Sequence, residues 1–232
     1  MSKSLLSLSL LVSLVFLMTD ISKAQQDLRV HASGDWFTKL KIEGALLGSS
    51  VSYSRNPTDV QSDGLFVMGQ PAALNQTYSL ANNGKRAILL VSGTAQQYSE
   101  DMLTLFGVGI ASENVVPRTN NLVVRGEEIA ELFSGINIGV SGRASISSYL
   151  VPISPSSRCL GTGYVSKSTN KSRCLAVEVT FESGSAIIMV VPRVYSGSSL
   201  YQSRIVPIMD DVIEQLDNKR ASIELLRWLM EM

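Results

Sequence analysis

Two uninterrupted apolar runs, one helix-length apart, constrain this chain more than anything else in it. Ala87-Ile-Leu-Leu-Val91 follows Gly84-Lys-Arg86 and ends at Ser92-Gly93. Gly64-Leu-Phe-Val-Met68 precedes it, and the stretch between them, Ala72 to Gly84, reads as a helix with its glycine stop. A strand whose residues are all apolar is covered on both faces, which is the pattern of a buried parallel strand. Strand, helix and strand in that order make a parallel crossover unit and point to an α/β domain.

The rest of the chain is read around that unit. Leu28 to Ala32 and Val51 to Ser54 are further strand candidates, the second ending at the Asn56-Pro57 turn. Trp36 to Leu47 is a helix candidate, with Trp36, Phe37, Leu40, Gly44 and Leu47 near one face. A helix over Gln97 to Phe106 buries Met102, Leu105 and Phe106 and stops at Gly107. Shorter strands follow at Leu122–Arg125, Ile136–Val140 and Ile146–Ile153. Leu175–Phe181 and Ala186–Val191 flank the turn Glu182-Ser-Gly-Ser185 and read as a β-hairpin. After Asp217-Asn218 a final helix places Ile223, Leu226 and Met230 on one face, with Leu225 and Leu229 beside it.

The first 24 residues have the form of an export signal. Lys3 supplies the positive start, Leu5 to Met18 is apolar, and Ser22 and Ala24 are the small residues before a cut at Gln25. The apolar run is shorter than the roughly 20 residues of a bilayer crossing, so an uncleaved anchor is the alternative reading. The expectation is a secreted or periplasmic protein with one domain over residues 25–232 and no membrane span in the mature chain.

Composition excludes several classes. Hydrophobic residues make up 45% and charged residues 17%, unlike a disordered chain. Twenty basic residues balance twenty acidic ones, so there is no basic excess for nucleic acid. One His and two Cys cannot furnish a His/Cys zinc site, and no cofactor or metal is expected. Gly161-Thr-Gly163 lacks the Lys-Ser/Thr of a phosphate loop and reads as a turn. Glu127-Glu128 and Asp210-Asp211 read as solvated pairs. Cys159 and Cys174 both lie in the exported part, where an oxidising compartment favours their disulfide. Asn75-Gln-Thr77 and Asn170-Lys-Ser172 match the acceptor pattern for N-linked glycans.

Three stretches resemble class I glutamine amidotransferase-like domains. Asp63-Gly-Leu-Phe-Val-Met-Gly-Gln70 is similar to the strand and glycine loop before the nucleophile. Asn83-Gly-Lys-Arg-Ala-Ile-Leu-Leu-Val-Ser-Gly93 is similar to the next strand and its elbow, and Met102-Leu-Thr-Leu-Phe-Gly-Val108 to the helix that follows. Asp217-Asn218 and Leu225-Leu-Arg-Trp-Leu229 resemble the end of the non-catalytic branch found in gliding-motility-type ABC transporter auxiliary proteins and an intraflagellar-transport subunit. The resemblance implies a flavodoxin-like three-layer sandwich with a mostly parallel central sheet, here with a β-hairpin extension in the second half. It places the nucleophile position on Val91 or Ser92, and neither is Cys.

A thiolate nucleophile with a His base is therefore not available at that elbow. The functional expectation is a non-enzymatic binding or scaffold domain in a cell-envelope or extracellular complex. Its recognition loops would be Ser33-Gly34-Asp35, Gly69-Gln70 and Ser92-Gly93-Thr94, at the carboxyl ends of parallel strands. They suit a small polar ligand or a protein partner. A partner covering the apolar final helix is a further version of this reading. The alternative is a secreted serine hydrolase in which Ser92 is the nucleophile and His31, the only imidazole, its base.

Overall fold

A computed structural model describes residues 27–31, 50–54, 64–67, 71–92, 99–115, 122–126, 137–140, 144–164, 172–191, 193–195, 203–205 and 218–230. The export segment expected over 1–24, the helix expected over 36–47, and the pairs Glu127-Glu128 and Asp210-Asp211 lie outside these residues.

The crossover unit forms as the sequence dictates. Strand β3 (Gly64–Val67) leads into helix α1 (Pro71–Asn82) and then β4 (Arg86–Ser92). Pro71 opens the helix where its missing N–H costs nothing. Gly84, at φ 82°, closes it. There the Lys85 amide donates to the Leu80 carbonyl over 3.0 Å and the Gly84 amide to that of Ala81 over 3.4 Å, the paired bonds of a Schellman ending. Helix α2 (Ser99–Phe106) also stops at a left-handed glycine, Gly107 at φ 62°, but with the single bond of an αL ending: its amide donates to the Leu103 carbonyl. The carbonyl of Gly107 in turn accepts from the amides of Ile153 and Ser154, which ties the helix end to a distant turn.

Strands β1 (Asp27–His31), β2 (Ser50–Ser54), β3, β4 and β11 (Ser185–Val191) pair parallel in the spatial order β2-β1-β3-β4-β11. Ala87 to Val91 and Ala186 to Val190 are buried without a break, so both faces of β4 and β11 are covered, as the apolar run 87–91 requires of β4. Helix α1 contributes Ala73, Leu74, Leu80 and Ala81 to this core, and α2 contributes Met102 and Phe106. Tyr78, Phe106 and Phe181 meet edge to face, with ring centroids 5.6–6.2 Å apart. The final helix α3 (Asn218–Met230) buries Leu225, Leu226 and Leu229 in the same core. These three residues are therefore covered by this chain itself, and Ile223 is half-buried. Arg86, at the start of β4, donates to the Trp228 carbonyl and lies over the Trp228 ring at 5.2 Å, holding the helix end.

The flavodoxin-like parallel sandwich is not what the whole chain builds. Among the described residues the sheet has 13 strands, is mixed, and curls strongly into a half-barrel. Strand β5 (Val108–Val115) turns straight back from α2 and pairs antiparallel with β8 (Ala144–Pro152). Strands β6 (Leu122–Gly126), β7 (Asn137–Val140), β9 (Ser157–Tyr164) and β10 (Ser172–Thr180) add antiparallel ladders, and so do the short β12 (Arg193–Tyr195) and β13 (Ser203–Ile205). The expected hairpin of β10 and β11 is present, with Thr180 opposite Ser185. It is not an appendage, because β11 joins the parallel block while β10 opens the antiparallel part.

The physical reason lies in the connections. Parallel neighbours need a crossover of a dozen or more residues, whereas antiparallel neighbours need only a turn. Two ladders carry register breaks, at Ser112/Val115 in β5 and at Cys174/Ala176/Val177 in β10. Such irregularities bend a strand and increase its twist, which curls the sheet. Gly161-Thr-Gly163 belongs to strand β9, with Gly163 opposite Arg173, rather than to a turn.

Candidate functional site at the carboxyl ends of β1, β3 and β4

Strand β1 lies between β2 and β3, so the winding of the parallel block reverses between β1 and β3. In open α/β sheets the crevice outside the carboxyl ends of the strands at such a reversal is where ligands bind. The last described residues there are His31 on β1, Val67 on β3 and Ser92 on β4. The three strands are consecutive neighbours: His31 is in register with Phe66, Phe66 with Leu89, and Ser92 with Val191 of β11. These three strand ends lie at the same end of the sheet, and the segments expected to recognise a ligand follow them in the sequence. Their residues Ser33, Gly34, Asp35, Gly69, Gln70, Gly93 and Thr94 lie outside the described residues.

The backbone register also sets the spacing of the two residues of the hydrolase reading. His31 and Leu89 are at the same level, two strands apart, and Ser92 is three residues beyond Leu89. With strands about 4.8 Å apart and about 3.3 Å of rise per residue, the two Cα atoms are separated by roughly 14 Å. A serine and its base need about 3 Å between heavy atoms, so this backbone spacing argues against a Ser92–His31 dyad.

Neither cysteine is near the elbow. Cys159 and Cys174 form a disulfide between β9 and β10, with Cα atoms 5.8 Å apart, the pairing expected from the sequence. The bond is diagonal: Cys159 is in register with Val177, and Cys174 with Thr162. A regular ladder would hold the two Cα atoms roughly 11 Å apart, beyond the 7 Å or so that a disulfide can span. The register break between them brings them into range. The flanking Leu160 and Leu175 are both buried.

No group of three or more His, Cys, Asp and Glu gathers among the described residues. No described helix is long and apolar enough to cross a membrane. The pairing that sequence reading missed is Arg173 over the Tyr149 ring at 4.9 Å, on strands β10 and β8. No local periodicity links these two positions, since only the antiparallel half of the sheet makes them neighbours.

No protein-family model matches the chain, and none of the curated proteins does. Among solved structures it is similar to a cytoplasmic protein from Salmonella typhimurium, at 10% identity and a TM-score of 0.50, over 88% of this chain and 98% of that one. It is similar to a protein from Thermoplasma acidophilum described as a GMP synthase subunit, at 11% identity and a TM-score of 0.50, over 88% and 95% of the two chains. A carbohydrate deacetylase, Agd3, aligns at 11% identity and a TM-score of 0.50 over 71% of this chain. The alignment takes in 29% of the deacetylase's length. At these identities the likeness is one of fold. The resemblance to amidotransferase-like domains drawn from residues 63–108 and 217–229 therefore holds at that level, and the particular branch of relatives does not follow from it.

Proposed function

We propose that this chain is an exported, non-enzymatic binding or scaffold domain that recognises a polar ligand or a partner's loop at the carboxyl ends of β1, β3 and β4. The observation that supports the reading is the strand order β1-β3-β4, in which His31, Val67 and Ser92 end neighbouring strands beside the reversal point of the parallel block; segments 33–35, 69–70 and 92–94 follow those strand ends in the sequence. The chemistry of the elbow supports it. Val91 and Ser92 stand where an amidotransferase needs a thiolate, and both cysteines are committed to the β9–β10 bridge. The disulfide and the absence of a membrane-crossing helix among the described residues fit a secreted or periplasmic setting. Export through residues 1–24 is part of the proposal.

A photo-crosslinking side chain placed at Gln70 or at Thr94 tests it in the cells that make the protein. The control position is Glu182, in the turn before β11. Because Ser185 is in register with Arg86, that turn lies at the opposite end of the parallel block. Adducts from positions 70 and 94 and none from 182 are expected. Adducts from 182 alone would move the recognition surface elsewhere. Labelling by a serine-reactive phosphonate, lost in Ser92→Ala, would instead support the hydrolase.

A further inference from the structure

We propose that Asn75, on the outer face of α1, accepts an N-linked glycan during export, before the helix forms. The proposal rests on the export reading above. Asn75-Gln-Thr77 has the acceptor pattern, and in the folded chain Asn75 is exposed. It heads a solvent stripe at helical spacing, Asn75, Ser79, Asn82 and Asn83, all exposed. The helix Pro71-Ala-Ala-Leu-Asn-Gln-Thr-Tyr-Ser-Leu-Ala-Asn82 contains no charged residue. A surface helix ordinarily carries charge opposite its apolar face. An uncharged face of small polar side chains leaves room for a glycan and breaks no ion pair on α1 when it is attached.

Thr77 determines when this can happen. In the fold its side chain is fully buried and its hydroxyl donates to the Ala73 carbonyl over 2.7 Å. A transferase must reach that hydroxyl with the tripeptide unwound, so the folded helix hides the acceptor pattern while leaving Asn75 itself in water. The donor is an oligosaccharide on a lipid pyrophosphate. The Asn75 amide nitrogen bonds to the anomeric carbon, the bond from that carbon to the pyrophosphate oxygen breaks, and the lipid pyrophosphate leaves. One proton is lost from the amide nitrogen.

The test uses the full chain in a eukaryotic secretory host, once with its own residues 1–24 and once behind a leader of proven export. A glycosidase-sensitive mobility step is expected, lost in Asn75→Gln, lost in Thr77→Val and kept in Thr77→Ser. Mass analysis should place the glycan on the peptide containing Asn75. Purified folded chain offered transferase and lipid-linked donor should gain nothing there, whereas the unfolded chain should be modified. Secreted chain with Asn75 bare, including chain modified only at Asn170, would overturn the proposal. If the chain's own first residues fail to export it, the arm behind the proven leader still decides whether Asn75 is an acceptor. Failure of export and failure of the acceptor are thereby told apart.

Discussion

Removing the Cys159–Cys174 bridge tests both its energetic role and the origin of the register break it spans. The bond closes a separation of 15 residues, which in the chain-entropy account contributes about 3 kcal/mol by restricting the unfolded chain. For a protein of this size each kcal/mol moves the melting temperature by roughly 2–4 °C. The variant Cys159→Ser/Cys174→Ser should therefore melt roughly 6–12 °C below the oxidised parent, and reduction of the parent should do the same. What happens to the register is decided by a comparison of magnitudes. Leu160 and Leu175 flank the break and are buried to within 1%, and each buried leucine contributes about 1.5–3 kcal/mol. A regularised ladder would regain a hydrogen bond or two, at about 1 kcal/mol each. Burial wins, so the break should persist without the bond. Cross-strand amide contacts by NMR should still join Ala176 to Gly161 in the double variant. A melting temperature unchanged from the parent would refute the entropic argument. A ladder that regularises on reduction would show that the disulfide, not the leucines, sets the register.

Other substitutions follow from the same geometry. A Cβ on Gly184 would collide with the carbonyl oxygens of Ala81 and Lys85, whereas one on Gly84 meets Ser183 only at ordinary contact distance but at positive φ. Gly184→Ala should thus cost about 3 kcal/mol by overpacking and Gly84→Ala about 1–2 kcal/mol, an order that urea denaturation checks. Arg86→Met removes both the guanidinium bond to the Trp228 carbonyl and its stacking on the indole, and should destabilise by about 1–2 kcal/mol, with a shift in Trp fluorescence. Leu226→Ala, in the fully buried face of α3, should cost about 2–5 kcal/mol by the same assay. His31→Ala should leave partner crosslinking from Thr94 intact. A hydrolytic activity abolished by His31→Ala or by Ser92→Ala, in a chain folded by circular dichroism, would reverse the functional reading.

Elements whose shape depends on neighbours in sequence were legible from the sequence. The apolar run 87–91 specified a buried strand because no polar residue in it can face water, and the run 64–68 specified the strand beside it. Gly84 and Gly107 specified the ends of α1 and α2 because left-handed backbone there favours glycine, and Leu225, Leu226 and Leu229 specified the buried face of the last helix. The hairpin around Glu182–Ser185 followed from its turn, and the disulfide from having only two cysteines, both beyond the expected export signal. The start points of the candidate loops follow from these strands too, since a parallel crossover places successive strand ends on one side.

What the chain as a whole decided is the pairing of its second half. Strands rich in Gly and Ser, such as Ser157–Tyr164, carry too little apolar pattern to show which face or which neighbour they take. Gly161 looks like a turn residue in isolation and becomes a strand residue once Ala176 and Gly126 lie opposite it. The diagonal disulfide, the curl of the sheet and the Arg173–Tyr149 contact depend on registers between segments far apart in sequence. No local propensity encodes those registers; they are set by which arrangement buries Leu150, Leu160, Leu175 and Val177 together.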